Sequence, residues 1–124
     1  MSTEENKAFI RSYLDAFSGK DKTKEKLEQF IADPELIQHA LASEAAFPKY
    51  EIIADEMIAE GDRVSIMARM RGVHTGDFHG IPPTGKQVET PLAVIYRLAD
   101  GMIAESWVYT DRMTMLEQLG VMPG

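Results

Sequence analysis

The sequence contains no cysteine, which removes several kinds of chemistry at once. Without thiols the chain has no disulfide framework, no thiolate zinc site and no cysteine nucleophile. Basic residues are also in the minority: 20 acidic against 13 basic side chains give a formal net charge of −7. An acidic chain without a clustered Lys/Arg stripe argues against nucleic acid and against anionic membrane surfaces as partners.

Long apolar runs are missing as well. No stretch approaches membrane-spanning length, and the polar, acidic beginning of the chain is unlike a signal peptide. Apolar residues still make up 44 % of the 124 residues, which is normal for a globular protein and sufficient for one core. We therefore expect a single domain over residues 1–124 of a soluble, cytoplasmic protein.

The first third of the chain has the apolar spacing of helices. Ser2-Thr3-Glu4-Glu5 has the spacing of a capping box, and apolar residues then recur at helical intervals up to a predicted stop at Gly19. A second, shorter helix is predicted from about Asp21. A third begins at Asp33-Pro34 and ends at Phe47-Pro48, because proline is favoured at the first helical position and disfavours helix before it.

After this point the apolar period becomes that of β-strands. Alternation predicts four strands and a final helix: Tyr50–Glu60, Val64–His74, Val88–Leu98, Met102 to about Asp111, and the helix Arg112–Leu119. Helices followed by antiparallel strands predict an α+β fold, with the helices packed on one face of a curved sheet. A sheet that wraps around helices leaves a cavity between them, and such cavities are common small-molecule sites.

The segment Gly72–Lys86 joins the two longest predicted strands. Its four glycines, two prolines and two histidines exclude a helix and interrupt any strand. It also contains Phe78 and Ile81, which a simple surface linker would lack. We therefore predict an ordered loop, the kind of segment on which functional sites are often found, and the alternative is a long hairpin connection with polar filler.

Asp111 is the first candidate for chemistry. With a two-residue turn at Asp100-Gly101, the last strand directs four side chains toward the apolar face of the preceding strand: Glu105, Trp107, Tyr109 and Asp111. A carboxylate there would have a raised pKa and would suit a general base or acid. A three-residue turn would instead pair the opposite parity, with Ala93 and Ile95. Asp111 also precedes a helix, so an N-cap explains it equally well.

The three histidines are dispersed over helix, strand end and loop. His74 shares a face with apolar strand residues, so spacing alone favours a core residue over a catalyst. His79 lies in mid-loop, where a solvated residue is the alternative, and His39 either lines the cavity from the third helix or packs against it. This dispersion does not match a close-spaced metal motif, and we expect no metal.

A set of short motifs runs from roughly residue 30 to residue 120. The motifs are Phe47-Pro48-x-Tyr50, Glu60-Gly61-Asp62-Arg63-Val64, Gly72-x-His74-x-Gly76-x-Phe78-x-Gly80-Ile81-x-Pro83-Thr84-Gly85-Lys86, Tyr96-Arg97-x-x-Asp100-Gly101-x-Ile103-x-Glu105-x-Trp107-x-x-x-Asp111 and Gln118-Leu119-Gly120. Together they resemble the SnoaL-like polyketide cyclases and ester-cyclase-type relatives, within the nuclear transport factor 2-like and ketosteroid isomerase-like superfamily. The resemblance implies a cone-shaped α+β fold, with N-terminal helices on a strongly curved antiparallel or mixed β-sheet, a short C-terminal helix and, commonly, a homodimer.

The resemblance also implies a chemistry. The founding cyclases close a ring of an aromatic polyketide by intramolecular aldol condensation, without metal or cofactor. An aspartate of the last strand is their general acid/base, and Asp111 stands at the matching position. Many relatives carry an arginine where this chain has Met67, a departure compatible with a different substrate.

Strand alternation places Arg69 and Arg71 on the face opposite to His74. They are candidates for a subunit interface, where arginine is common, and the alternative is a solvated outer surface.

The resulting hypothesis is a small dimeric enzyme that binds a small hydrophobic carbonyl compound. Asp111 would abstract a proton next to the carbonyl, and His74 or His39 would donate a hydrogen bond to the enolate oxygen. Five residues are predicted to line the substrate pocket: Phe78, Tyr96, Trp107, Tyr109 and His79. The alternatives are an isomerase, an epoxide hydrolase that pairs Glu105 with Asp111, and a non-catalytic ligand-binding or dimerisation module.

Overall fold

A computed structural model describes residues 2–121 of the chain. The helices are α1 (Thr3–Phe17), α2 (Lys24–Leu27), α3 (Pro34–Ala46) and α4 (Arg112–Leu119). The strands are β1 (Glu51–Glu60), β2 (Arg63–Val73), β3 (Gln87–Ala99) and β4 (Met102–Thr110). The order of elements therefore follows the sequence prediction, with three helices first, four strands next and one short helix last.

Capping side chains define where the helices begin. Ser2 and Glu5 form a reciprocal capping box, in which each backbone N–H donates to the other side chain at 3.1 Å. Asp33 caps α3, as predicted. The predicted second helix is reduced to the single turn α2, because the chain after it pairs with β4: the N–H of Ala32 donates to the carbonyl of Ile103 at 2.9 Å.

The four strands form one antiparallel sheet in the order β1-β2-β3-β4. The β3–β4 hairpin turns at Asp100 and Gly101, whose φ angles of 53° and 73° fit the two-residue turns that hairpins favour. On β2 and β3 the predicted apolar residues do share the inner face, and the charged residues of both strands lie outside, together with some apolar ones such as Met67 and Ile95. The predicted α+β architecture is confirmed, and the sheet is wholly antiparallel.

The predicted pairing of β4 is wrong beyond the turn. Leu98 pairs with Ile103, as a two-residue turn requires, but Arg97 pairs with Glu105 because Ala104 forms a β-bulge. A shift of one residue turns every later side chain to the opposite face of the sheet. The outer face therefore receives Glu105, Trp107 and Tyr109, and the inner face receives Ser106, Val108 and Thr110. The bulge produces the pairing with Ala93 and Ile95 that was expected only for a three-residue turn.

The core lies between the helices and the inner face of the sheet. Its central side chains are at most 2 % exposed: Ile10, Leu27, Ile31, Val64, Ile66 and Ile103. A second cluster joins the end of α3, the end of the sheet and α4, through Phe47, Val88 and Leu119. The space between the two clusters is not filled by side chains, and it forms the cavity described below.

Residues 74–86 form an ordered loop that is docked on the end of α3. The N–H groups of Thr75 and Gly76 both donate to the carbonyl of Ala46 at 3.1 Å. A Cβ atom on Gly76 would overlap the carbonyl oxygen of Ala45, so this close approach requires glycine. The predicted loop is present, and it is shorter at its start because β2 continues to Val73.

Candidate functional site

A cavity of about 550 Å³ lies between α3, the inner face of the sheet and the loop of residues 74–86. Its walls are mainly apolar and include Leu36, Ala40, Phe47, Ile52, Leu92 and Val94. The volume falls in the range of small-molecule sites, which is roughly 300–1,000 Å³. Polar side chains reach it from three directions: Asp111 and Thr110 from the end of β4, Asp77 and His79 from the loop, and His39 from α3.

Asp111 is partly buried and lines the cavity as the first residue after β4. It also caps α4: Thr114 donates its backbone N–H to Oδ1 at 3.0 Å and its hydroxyl to Oδ2 at 2.7 Å. These two hydrogen bonds lower the pKa of Asp111, because they stabilise the carboxylate more than burial disfavours it. The expected raised pKa is therefore wrong, and the N-cap interpretation is confirmed.

His74 is fully buried and does not line the cavity. Its Nδ1 accepts the backbone N–H of Thr84 at 3.1 Å and lies 3.0 Å from the Thr84 hydroxyl, so the neutral ring carries its proton on Nε2. That atom has no hydrogen-bond partner within residues 2–121. The ring of Phe47 packs against the imidazole at 5.3 Å. His74 thus occupies the core position that its spacing favours, and it fastens the two ends of the loop.

His39 and His79 both line the cavity, one on α3 and one on the loop. His39 keeps an exposed face, but partial shielding from water lowers its pKa, and the charge of nearby His79 lowers it further. The ring of His79 contacts the ring of Phe78 edge-on at 4.5 Å. Phe78 in turn packs on Phe47 at 5.5 Å, which anchors the loop tip to the wall of the cavity. The structure therefore brings together His39, His79 and Phe78 with Asp111.

Of the predicted aromatic residues of β3 and β4, only Tyr96 is buried and lines the cavity. Trp107 and Tyr109 are on the outer face of the sheet, where Tyr109 is 60 % exposed. Glu105 is also outside, with its carboxylate 2.7 Å from the Nε of Arg97. The predicted placement of Trp107 and Tyr109 in the pocket is wrong because the bulge reverses β4. For the same reason, Glu105 does not share the cavity with Asp111.

Two further tyrosines line the cavity without having been predicted to do so. Tyr13 comes from the apolar face of α1, and Tyr50 directly precedes β1. Tyr13 belongs to the regular apolar pattern of its helix, and Tyr50 belongs to the motif Phe47-Pro48-x-Tyr50. Neither of these sequence signals indicates that the two rings line the same cavity as Tyr96.

The described residues offer no metal site of the usual kind. Within residues 2–121, no three side chains of histidine, aspartate or glutamate are arranged to hold a metal ion. The carboxylate of Asp77, which also lines the cavity, instead accepts the N–H of Gly80 at 3.0 Å.

Among residues 2–121, none of the helices combines the length and the apolar character needed to cross a bilayer.

Comparison with known proteins places this site in a family context. Residues 20–119 match the family model described as SnoaL-like polyketide cyclase. AclR from Streptomyces galilaeus, for which hydroxylase activity is suggested, is 23% identical and superposes with a TM-score of 0.83 over 99% of this chain and 85% of its own. A protein from Jannaschia sp. CCS1, named as a suggested SnoaL-like polyketide cyclase, is 23% identical, with a TM-score of 0.81 over 98% of this chain and 95% of its own.

IdmH from Streptomyces antibioticus, a suggested polyketide cyclase, is 28% identical, with a TM-score of 0.73 over 94% of this chain and 99% of its own. No curated protein matches the chain. The similar structures establish the fold, and the family model covers most of the sequence. The chain therefore belongs to the SnoaL-like polyketide cyclase family.

Proposed function

We propose that the protein catalyses an aldol-type ring closure of a small, largely apolar carbonyl compound, without a cofactor. The observation that carries this proposal is the carboxylate of Asp111 on the wall of an otherwise apolar cavity of about 550 Å³. Family membership supports the class of reaction. The apolar walls favour a ring compound, and the carboxylate supplies the base that such a reaction requires.

Each step of the proposed reaction uses groups that line the cavity. Asp111 takes a proton from the carbon next to a carbonyl, and His39 donates a hydrogen bond to the enolate oxygen that forms. The lowered pKa of His39 keeps its ring neutral, with one N–H available as donor. The enolate carbon attacks a second carbonyl of the same molecule, and Asp111 returns the proton to the new alkoxide. All atoms are conserved, so no co-reactant is needed.

The lowered pKa of Asp111 has two consequences for this reaction. It keeps the carboxylate ionised at neutral pH, as a base requires, but the bonds from Thr114 also weaken that base. An apolar ligand that covers Asp111 displaces water from the carboxylate, which raises its pKa in the complex. Binding of the substrate would thus strengthen the base at the moment of proton transfer.

Hydrogen exchange on a simple ketone tests the first step. In D₂O, the protein should speed the exchange of the acetyl methyl protons of 2-acetylnaphthalene, which proton NMR follows directly. Asp111→Asn should abolish this acceleration while retaining the cap, because asparagine is an equally good N-cap residue. Glu105→Gln is the matched control on the outer face and should exchange as fast as the wild type. Undiminished exchange by Asp111→Asn would exclude Asp111 as the base.

A non-catalytic ligand carrier is the second candidate. The observation that favours it is the engagement of both carboxylate oxygens of Asp111 by Thr114, the arrangement of an ordinary helix cap. Such a protein would bind 2-acetylnaphthalene without accelerating its exchange. An epoxide hydrolase is not retained as a candidate, because the second carboxylate that it would use, Glu105, lies outside the cavity.

We also propose that two copies of the chain associate through the outer face of the sheet. Large apolar side chains are exposed there, namely Ile58 at 63 %, Met67 at 55 % and Tyr109 at 60 %. Charged side chains of both signs flank them, and Arg69 is bonded to Asp55 at 2.9 Å on one side of the patch. A surface with an apolar centre and a rim of both charges is able to complement itself across a two-fold axis.

Sedimentation velocity tests this association. Met67→Glu places a charge in the centre of the apolar patch and should convert a dimer into a monomer. Met113→Glu is the matched control, because Met113 is also 63 % exposed but belongs to α4 and not to a strand of the sheet. A monomeric wild-type protein, or a dimer unaffected by Met67→Glu, would exclude this interface.

A further inference from the structure

Three tyrosines from separate parts of the chain converge on the cavity. Tyr13 comes from α1, Tyr50 from the residue before β1 and Tyr96 from β3, and their rings are only 4–8% exposed. All three line the main cavity and also a smaller one, of about 30 Å³, that extends toward Leu27 and Lys22. The rings of Tyr13 and Tyr96 meet edge to face at 5.9 Å. We call these three side chains the tyrosine floor.

The hydroxyls of the tyrosine floor have no hydrogen-bond partner in residues 2–121, although buried phenols usually have one. They are not sealed among protein atoms either: within the same residues, the Nε2 of His74 is the one side-chain polar atom both fully enclosed and unpaired. The three hydroxyl oxygens therefore open onto the cavities that their rings line.

Burial also keeps these hydroxyls protonated. It raises the pKa of Tyr13 to about 12 and raises the pKa values of Tyr50 and Tyr96. The charge of an ionised Tyr13 would raise the pKa values of the other two further. At neutral pH, the tyrosine floor is thus a cluster of three hydrogen-bond donors.

The neighbouring cation does not compete for a ligand. The Nζ of Lys22 donates to the carbonyls of Lys20 and Tyr50 at 2.9 Å each, and to the carboxylate of Glu44 at 3.4 Å. These bonds use all three of its donors. The unpaired donors at this end of the cavity are therefore the hydroxyls.

The tyrosine floor and Asp111 lie apart on the sheet's inner face. Tyr50 precedes β1, which is at the opposite edge of the sheet from β4, and three strand spacings of about 4.8 Å separate these two edges. Tyr96 is paired with Ser106 of β4, whereas Leu92 is paired with Thr110, the residue before Asp111. These two pairs are four positions apart along each strand, which corresponds to roughly 13 Å. A ligand that contacts both Asp111 and the tyrosine floor must be elongated.

We propose that the tyrosine floor binds an oxygen substituent at the end of the ligand remote from Asp111. This inference rests on the proposed function, because the reacting carbonyl at Asp111 defines which end is remote. The preferred ligand is an elongated, apolar ring compound with a hydroxyl or carbonyl oxygen at its far end. A ligand without that oxygen leaves the three donors unpaired against an apolar group, and sites of this kind discriminate strongly.

Two compounds that differ by one hydroxyl test the inference. 6-Acetyl-2-naphthol and 2-acetylnaphthalene share the ring system and the acetyl group, and only the first has an oxygen at the far end. Calorimetric titration of the wild type should give a dissociation constant at least about tenfold smaller for the naphthol. Tyr13→Phe, Tyr50→Phe and Tyr96→Phe should each reduce this ratio about threefold or more, without weakening the binding of 2-acetylnaphthalene.

Tyr109→Phe is the matched control and should leave the ratio unchanged, because Tyr109 lies on the outer face. The inference would be overturned if the wild type bound both compounds equally well or bound neither. It would also be overturned if the ratio of the two dissociation constants were unchanged in all three tyrosine variants. If one variant does not fold, the ratio in the other two decides. Tighter binding of the naphthol without accelerated exchange of the acetyl protons would support the role of the tyrosine floor and overturn the proposed catalysis instead.

Discussion

The burial of three of the four tyrosines predicts a marked loss of stability in alkali. In the unfolded chain a tyrosine ionises near pH 10, whereas burial raises the pKa of Tyr13 to about 12 and raises those of Tyr50 and Tyr96 as well. Above about pH 10 the folded state therefore holds protons that the unfolded state has lost. The free energy of unfolding must fall as the pH rises through this range.

The magnitude follows from linkage. A tyrosine with a pKa near 10 in the unfolded chain and well above it in the folded chain lowers the free energy of unfolding by about 1.4 kcal/mol at about pH 11. Three such residues give a loss of about 4 kcal/mol, a large part of the roughly 5–15 kcal/mol of a typical domain. Lys22 opposes this loss: burial lowers its pKa, so stability rises with pH up to its ordinary value of 10.5. One opposing group does not cancel three.

Urea unfolding between about pH 8 and about pH 11, followed by circular dichroism, measures this loss. Tyrosinate absorbance, recorded in parallel, should develop mainly with unfolding, because the three buried hydroxyls do not ionise in the folded chain. Tyr13→Phe should remove about 1.4 kcal/mol of the loss. Tyr109→Phe is the exposed control, made in the Met67→Glu variant so that no second copy covers the outer face. A free energy of unfolding that stays constant over this range, or ionisation of these tyrosines in a chain that remains folded, would refute the reasoning.

Three further predictions concern the cap of α4, the loop and the buried lysine. Thr114→Val removes the 2.7 Å bond to Asp111 and so raises the pKa of that carboxyl. Because the proposed base must be ionised, the acid limb of the exchange rate measured against pH should move to higher pH. Gly76→Ala forces a Cβ against the carbonyl of Ala45 and should cost about 1–3 kcal/mol in urea unfolding. Lys22→Met removes one hydrogen bond from each of the carbonyls of Lys20 and Tyr50 and takes the ion-pair partner from Glu44, and should cost about 3–5 kcal/mol by the same measurement.

Each of these predictions has a matched control. Thr114→Ser keeps the hydroxyl and should leave the pH profile in place; a shift in this variant would mean that the hydroxyl is not what holds the pKa low. Thr75→Ala, at the exposed neighbour of Gly76, should unfold like the wild type, as should Lys26→Met on the exposed side of α2. Gly76→Ala or Lys22→Met with wild-type stability would contradict the contacts described for the loop and the lysine.

The positions of the helices and of most strands could be predicted because their signals are local. Asp33-Pro34 marks the start of α3 by cap chemistry and a fixed φ angle, and Asp100-Gly101 marks a hairpin by its tolerance of positive φ. The alternation on β2 and β3 selects one face, because all of their charged residues fall on the other. These choices require only neighbours in sequence, and the resemblance to a family adds the arrangement of the elements.

The sequence could not predict which side chains of β4 point to the inner face of the sheet. The placement of Trp107 and Tyr109 could therefore not be predicted either. Both faces of this strand carry apolar or aromatic residues, so its alternation is equally compatible with either orientation, and the bulge at Ala104 has no signature in the pattern.

The site depended on the tertiary structure in the same way. The sequence by itself identified Asp111 as a candidate base and cap, but the direction of its pKa shift depends on whether burial or the bonds from Thr114 prevail, which only their distances decide. Of the tyrosine floor, the sequence indicated only Tyr96 as a pocket residue, and the cluster of three could not be recognised. Its members are distant in sequence, and only the packing of α1 and the start of β1 against the rest of the sheet brings their side chains to the same cavity.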